Sequence, residues 1–413
     1  MTGAVRVRVA RPEDLDQAGA LAAEAYHADG LLDDGDGYAA ELRDAARRAR
    51  EAVLLVATVP GTGAAQDVVV GTVTLAPAGT SYAEVAEPGE LELRMLAVAP
   101  EARRRGVAER LTTAALREAV ARRARGVVLS TLEPMAAARR LYERLGFVAA
   151  PARDWGHEGV ALRVLTWTPP AAPGVLVESA TWVPATVETL EGWRLGFAGG
   201  FTRRANSVLP LGRPMDLDGA LDAVEARYDA VGLPTVVRVC AAAPAGLAEV
   251  LGSRGYAPVA ATDVLVRDVE PPPPVPAHAG VQVVVSERVE GPWLDGWLGV
   301  KAGGANADAA TARQVLAATP ARYLSAVGEG RTTLGVLRAA FAEDWVGLSC
   351  LVVAPEARRR GVGRLLTRSA LAVAARTGAR RAFLQVEVSN AGAADLYAAE
   401  GFRPAERYAY WQR

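Results

Sequence analysis

The ten residues at positions 98–107, VAPEARRRGV, occur again letter for letter at 353–362. The displacement of 255 positions persists downstream without a gap: Leu141 and Tyr142 fall on Leu396 and Tyr397, and Gly146-Phe147 on Gly401-Phe402. Chance does not supply an identical string and then keep its register that far. One folding unit is therefore present at least twice, and each copy must fold alike around its string. A fainter third copy lies between them. Ser207-Val208-Leu209-Pro210 stands where Ala97-Val98-Ala99-Pro100 stands in the first copy. An amphipathic stretch from Leu217 to Ala230, an apolar run from Thr235 to Val239, a helical stretch from Ala245 to Gly252 and Gly255-Tyr256 follow in the expected order. Here Gly212 to Asp218 replaces the arginine–glycine string, and Leu251 falls where the tyrosine should be. This middle copy reads as real but stripped of its function.

Proline-rich seams agree with that division. Thr168 to Gly174 and Glu270 to Gly280 are connectors, and the run Pro271 to Pro274 favours an extended, semi-rigid spacer. The expected domains are residues 1–168, 175–268 and 281–413. Within the first, apolar periodicity switches between strand and helix types. Strands are expected at Val5–Val9, Val53–Val59, Val68–Leu75, Leu91–Val98, Val127–Ser130 and Val160–Trp167. Helices are expected from Arg11-Pro12-Glu13-Asp14 onward, then at Ala39–Arg50, Gly106–Arg123 and Met135–Leu145. The fold class is α/β with a mixed sheet, whose central feature is strand, arginine–glycine turn, helix.

Composition narrows the function classes. Across 413 residues, 46 Lys+Arg balance 47 Asp+Glu, which argues against binding nucleic acid through bulk charge. No apolar run reaches the roughly 20 residues that span a bilayer, and Met1 to Asp14 lacks the apolar core of a signal peptide. Cys240 and Cys350 are too few for a disulfide framework or a zinc site, so a reducing, cytoplasmic setting without a metal is expected. Only His27, His157 and His278 exist, and the repeat places none beside Cys350, so a Cys–His nucleophile finds no support. Cys350 itself reads as a small core residue.

A helix N-terminus offers unpaired N–H groups and a partial positive charge, a ready site for an anion. Arg103-Arg104-Arg105-Gly106-Val107-Ala108 leads into one such helix, and Arg358-Arg359-Arg360-Gly361-Val362-Gly363 into the other. The turn is too short for a nucleotide P-loop and lacks its lysine, so the natural guest is the pyrophosphate of another cofactor. This arrangement resembles the GNAT superfamily of acetyl-coenzyme A-dependent N-acetyltransferases. Both arginine–glycine turns match the superfamily signature [RQ]-x-x-G-x-[GA]. The later helix matches too, as Leu141-Tyr142 to Gly146-Phe147 and as Asn390 through Leu396-Tyr397 to Gly401-Phe402. The resemblance covers the first and last units.

That resemblance implies repeated acyltransferase folds using acetyl-CoA to acetylate a primary amine of a small molecule or peptide. The strand before each turn parts from its neighbour to admit pantetheine. A backbone N–H near Leu96 or Val98, and near Leu351 or Val353, polarises the thioester carbonyl. Tyr142 and Tyr397 protonate the departing thiolate. Asn390 joins the turn residues in cofactor contact; Met135 in its place weakens that contact in the first unit. The base is Glu92 in the first unit. Its counterpart is Gly347, so Glu387, or Glu343 and Asp344, would substitute in the last. Arg203, Arg204, Asn206 and Ser207 are more polar than a buried strand allows and are expected to face a shared cleft or the last unit's ligand. The stretch Trp193 to Pro210 resembles one in bacterial tandem GNAT proteins of unassigned substrate. Tyr408, Tyr410 and Trp411 read as core. Two rival readings stay open: a mycothiol synthase-like acetyltransferase, and an acyl-CoA-binding scaffold with one silent domain.

Overall fold

The computed structural model describes residues 5–32, 37–61, 66–157, 160–301 and 309–413. The chain divides into two compact units, Met1–Pro169 and Pro170–Arg413. In the first, strands β1 (Arg6–Val9), β2 (Val53–Val59), β3 (Val68–Pro77), β4 (Glu90–Val98), β5 (Gly126–Leu132), β6 (Val148–Ala149), β7 (Trp155–His157) and β8 (Val160–Trp167) form one mixed sheet. Its order is β1-β2-β3-β4-β5-β8-β6, with β7 also on β8. The helices are α1 (Leu15–Ala28), α2 (Gly37–Arg43), α3 (Ala45–Glu51), α4 (Val107–Ala121) and α5 (Ala136–Arg144).

Strand β2, VLLVATV, is buried at every position. Such an unbroken apolar run belongs to a strand covered on both faces, and α1 and α4 both pack on the sheet here. The single helix expected over Ala39–Arg50 is two, because Asp44 accepts the Arg47 N–H at 2.9 Å and caps a new start. The second helix carries Arg48, wholly buried, whose guanidinium donates to the Leu42 carbonyl at 2.7 Å and to Thr74 Oγ1 at 3.3 Å.

In the second unit, helix α6 (Val175–Ala180) precedes β9 (Thr186–Leu190), β10 (Trp193–Phe197), β11 (Val208–Leu209), α7 (Leu217–Asp229), β12 (Val236–Val239), α8 (Leu247–Ser253) and β13 (Ala257–Asp268). Then follow β14 (Gln282–Ser286), α9 (Gly291–Lys301), α10 (Ala309–Ala317), β15 (Ala321–Val327), β16 (Thr333–Ala342), β17 (Trp345–Val353), α11 (Val362–Arg376), β18 (Arg381–Glu387), α12 (Ala391–Ala399) and β19 (Arg403–Gln412). All eleven strands lie in one sheet, ordered β14-β15-β16-β17-β18-β13-β19-β12-β11-β10-β9.

That order contains an exchange. In the first unit β5 pairs with β8, the last strand of the same unit. The corresponding β18 pairs instead with β13, from the 175–268 segment. Strand β19, from the 281–413 segment, crosses to pair with β12. Strands β13 and β19 pair with each other from Ala257↔Gln412 to Val266↔Arg403, and the buried Asp263 takes the Arg407 guanidinium at 2.5 Å within that pair. Each segment thus completes the other's sheet. Residues 170–280 or 281–413 expressed alone should each leave the neighbouring strand of an interior sheet unpaired. Neither should give a cooperative thermal unfolding transition, whereas 170–413 should, and co-expression of the two pieces should yield a complex on gel filtration.

Candidate active sites

Two adjacent parallel strands normally pair along their whole common length, but the central pairs here do not. Strands β4 and β5 pair at Glu90↔Gly126, Leu91↔Val127 and Glu92↔Val128, and no further. Strands β17 and β18 pair from Trp345↔Arg381 to Leu348↔Leu384 and then part. Just beyond the last pair each strand carries a residue in the left-handed region, Met95 at φ 52° and Cys350 at φ 58°. On the opposite side the antiparallel register shifts between Thr72 and Thr74, and between Val336 and Arg338. These are β-bulges, which bend the strand and end its pairing. Leu96 and Val98, and likewise Leu351 and Val353, lie past the parting, where the facing edges have no strand partner. Cys350 is therefore not simply a core filler: it is half-buried at the hinge of the opening.

The two arginine–glycine turns superpose in their dihedral angles. A single 3₁₀ turn (Pro100–Ala102, Pro355–Ala357) leads to an extended Arg103 or Arg358, a left-handed Arg104 (φ 59°) or Arg359 (φ 62°), and a left-handed Gly106 (φ 74°) or Gly361 (φ 83°). Helix α4 or α11 then begins, with Ala108 or Gly363 as its second residue. A Cβ built on Gly106 or Gly361 would meet nothing within 4 Å, so open space lies against the turn at each. The three arginines are not equivalent. Arg103 Nε donates to the Val98 carbonyl at 3.4 Å while its fork binds Asp29 at 2.7 and 3.1 Å. Arg358 Nε donates to the Val353 carbonyl at 3.2 Å. The first arginine thus fastens the turn to its strand. Arg104, Arg105, Arg359 and Arg360 are exposed and have no ion-pair partner among the described residues.

Helices α5 and α12 bring Tyr142 and Tyr397 into the core beside each parting, 6% and 7% exposed. Each meets a phenylalanine edge-on, Phe147 at 5.5 Å and Phe402 at 5.7 Å between centroids. Burial pushes both phenols well above their ordinary range, and at Tyr397 the nearby Cys350 adds to the shift. Asn390 caps α12, its Oδ1 accepting the Ala393 N–H at 3.1 Å, whereas Met135 gives α5 no side-chain cap. The asparagine therefore has a second task, setting the helix that carries Tyr397.

In the second unit the parting opens into a cleft of about 730 Å³. Tyr397 and Val386 belong to the core under α11, while Phe383, Tyr408 and Tyr410 belong to the core on the other face of the sheet, with α6. The cleft touches residues of both cores, so the gap between β17 and β18 joins the two faces. Arg203, Arg204, Asn206 and Glu387 all line it. Arg203 stands 3.6 Å from Glu387, and Arg204 lies 5.1 Å over the Trp182 ring. Tyr410, expected only as core, also reaches the cleft.

Two family models match the chain. Residues 23–147 match the model described as "Acetyltransferase (GNAT) family". Residues 177–411, more than half the chain, match one described as "Probable histone acetyltransferase Rv0428c C-terminal". The chain is a GNAT acetyltransferase. It is similar to the "Uncharacterized N-acetyltransferase YobR" of Bacillus subtilis, 25% identical over 242 residues, which are 56% of this chain and 94% of that protein. A solved GCN5-related N-acetyltransferase from Kribbella flavida shares 18% identity over 58% of this chain and 96% of its own, with a TM-score of 0.46. Another from Sphaerobacter thermophilus shares 16% over 99% and 95%, with a TM-score of 0.32.

Several residues of this GNAT protein serve differently from expectation. Glu92 is fully buried, and its Oε2 accepts the backbone N–H groups of Glu84, Val85 and Ala86 at 2.8, 2.8 and 3.0 Å. Its other oxygen faces Arg94 at 3.6 Å. A carboxylate so enclosed ties down the 84–86 loop through Oε2, while its Oε1 is buried without a hydrogen-bond partner among the described residues. Asn206 is likewise consumed: its Oδ1 accepts from Ala198 and Gly200, and its Nδ2 donates to Phe201 and Thr202. Asp344 grips Arg381 at the paired end of β17, remote from the parting. Sequence reading overlooked Ser349 and Gln385, the first residues past the last β17–β18 pair. Their Oγ and Oε1 atoms, with the Tyr410 hydroxyl, are buried without a hydrogen-bond partner among the described residues. Replacing Glu92 by Ala should leave three part-buried backbone donors without their acceptor and lower the stability of the Met1–Pro169 unit by about 1–3 kcal/mol in a denaturant melt of the full chain. A loss of chemistry with an unchanged melt would give it the role of base.

Proposed function

We propose that this chain transfers the acetyl group of acetyl-CoA to a primary amine, with separate sites in residues 1–168 and 281–413 and a supporting segment at 175–268. The observation that carries the reading is the pairing of a bulged, parted strand with a buried tyrosine and an open arginine–glycine turn, once around Met95 and once around Cys350. The residues fit the cosubstrate. Open space at Gly106 and Gly361 leaves room for a pyrophosphate against helix N-terminal amides and against Arg104, Arg105, Arg359 and Arg360. The free strand edges at Leu96–Val98 and Leu351–Val353 supply N–H donors for a thioester oxygen.

The chemistry asked of the side chains is a single proton. The amine nitrogen bonds to the acetyl carbon, and the carbon–sulfur bond breaks with its electron pair on sulfur. The phenol of Tyr397 or Tyr142 gives that sulfur a proton and recovers one from solvent, to which the amine loses its own. A buried phenol whose pKa lies above about 10 is protonated throughout the working range and ready to donate.

Tyr397→Phe should lower thiol release from the 281–413 site by about 10²–10⁴-fold, with calorimetric acetyl-CoA affinity unchanged; Tyr142→Phe should act likewise on the first site. Equal rates in both variants would remove the acid role. With the tyrosines protonated, kcat should not fall between about pH 8 and about pH 10; a descending limb there would assign the proton to another group. Changing Arg359 and Arg360 together to Ala should raise the acetyl-CoA Kd at that site about tenfold, an effect that shrinks as salt screens the charges. Tight acetyl-CoA binding with no amine acetylated would favour the scaffold reading.

A further inference from the structure

The cleft of the second unit holds more unsatisfied chemistry than the cosubstrate uses. On the Tyr397 face stand the groups assigned above to acetyl-CoA. On the opposite face, with α6, four polar groups wait in two pairs. One pair, Ser349 Oγ and Gln385 Oε1, sits at the point where β17 and β18 part, so it borders the place where acetyl transfer occurs. The orientation of Gln385 is fixed from behind. Its Nε2 donates to Glu178 Oε2, and Glu178 is held by Arg238 at 2.6 Å in a pair buried at both ends. A carboxylate paired with an arginine accepts, so the glutamine amide nitrogen points to it and the oxygen points away from it, buried without a partner among the described residues. The other two groups are Arg204 and the Tyr410 hydroxyl, both belonging to residues that line the cleft, with Arg203 5.9 Å over the Tyr410 ring. Arg204 lies on Trp182 with no acidic partner among the described residues, and Tyr410 is 4% exposed with its hydroxyl unpaired.

Each pair has a chemical preference. Ser349 and Gln385 are neutral acceptors, suited to N–H groups but unable to take a proton from a strongly basic amine. Of the carboxylates expected as bases here, Glu387 is exposed beside Arg203, and Asp344 is engaged with Arg381 at the closed end of the strand. The acceptor should therefore reach the site with its nitrogen already neutral. At pH 7 about one α-amine in seven is neutral, against about one alkyl amine in 2,500. Arg204 and Tyr410 offer a fork of guanidinium N–H groups and a hydroxyl donor, the donor set that a carboxylate takes up.

We infer that the acceptor of this second site is an α-amine on a molecule that also carries a carboxylate, with Gln385 and Ser349 receiving the amine and Arg204 and Tyr410 the carboxylate. The inference rests on the acetyltransferase reading above and specifies its substrate class. Glu178 is then a positioning residue, acting through the orientation of Gln385.

The test uses the full chain, acetyl-CoA and amidated dipeptides in matched sets: Ala-Asp and Ala-Glu, their neutral isosteres Ala-Asn and Ala-Gln, and Ala-Lys blocked at its α-amine. Tyr142→Phe in the background confines turnover to the second site. The acidic dipeptides should show a kcat/KM about tenfold above their isosteres, and the blocked lysine peptide should show none. Arg204→Ala and Tyr410→Phe should erase the acidic preference while leaving the calorimetric acetyl-CoA Kd and the melting temperature unchanged. Glu178→Gln should raise KM for every dipeptide without altering that Kd. Calorimetry of N-acetyl-Ala-Glu-amide on the CoA-loaded protein should give the same Arg204 dependence with no turnover involved. Equal rates for acidic and neutral dipeptides, or acetylation of the lysine side chain in preference to either, would overturn the substrate class and leave the acetyltransferase reading intact. Failure to bind acetyl-CoA at all would instead overturn both.

Discussion

Beyond Leu348 and Leu384 the backbones of β17 and β18 no longer share hydrogen bonds, because Cys350 turns its strand through a left-handed φ. Met95 does the same to β4. Such a conformation costs a non-glycine residue about 1–3 kcal/mol, and the surrounding sheet, anchored on its far side by β3 or β16, holds it in place. The opening that results is the precondition for everything else. It bares a strand edge and, in the second unit, joins the face bearing the buried tyrosine to the face bearing the polar side chains. The arginine–glycine turn follows the same strand directly, so the anchor and the opening move as one piece.

The electrostatics of the chain divide along that opening. Its overall charge is close to zero, yet Arg104, Arg105, Arg359 and Arg360 stand exposed at the turns without an ion-pair partner among the described residues, and Arg203 and Arg204 line the cleft. Several carboxylates, by contrast, are engaged in structural contacts. Glu92 clamps a loop, Asp344 and Asp263 hold arginines across neighbouring strands, and Glu178 is buried against Arg238. Fixed positive charge with these carboxylates engaged suits a transferase whose donor is anionic and whose acceptor needs little help in losing a proton.

The repeat made most of the fold legible. An identical string before each central helix, with apolar periods around it, was enough to place β2, β4, α4 and β8 nearly to the residue, and the tyrosines with them. What escaped has physical causes. Nothing in the side chains of methionine or cysteine announces a left-handed backbone, so Met95 and Cys350 looked like ordinary strand residues. Charge type alone did not show that Glu92 clamps a loop, since its three amide partners are backbone groups that carry no motif. Ser349 and Gln385 carry no motif; they matter only because the last pair of β17 and β18 falls one residue before them. The family models then supplied what neither composition nor period could, the membership of the whole second unit in one acetyltransferase family.

The crossing of β13 and β19 has a consequence for how the second unit comes into being. Strand β12 is made early, with β11 on one side, but its other edge finds a neighbour only in Arg403–Gln412, more than 160 residues later. During synthesis the 175–268 segment must therefore wait with an open edge, and an open edge invites pairing with the wrong strand. Sheets closed by such distant contacts form slowly. The same crossing acts as a lock once complete. Neither segment can leave without opening an interior edge in the sheet of the other.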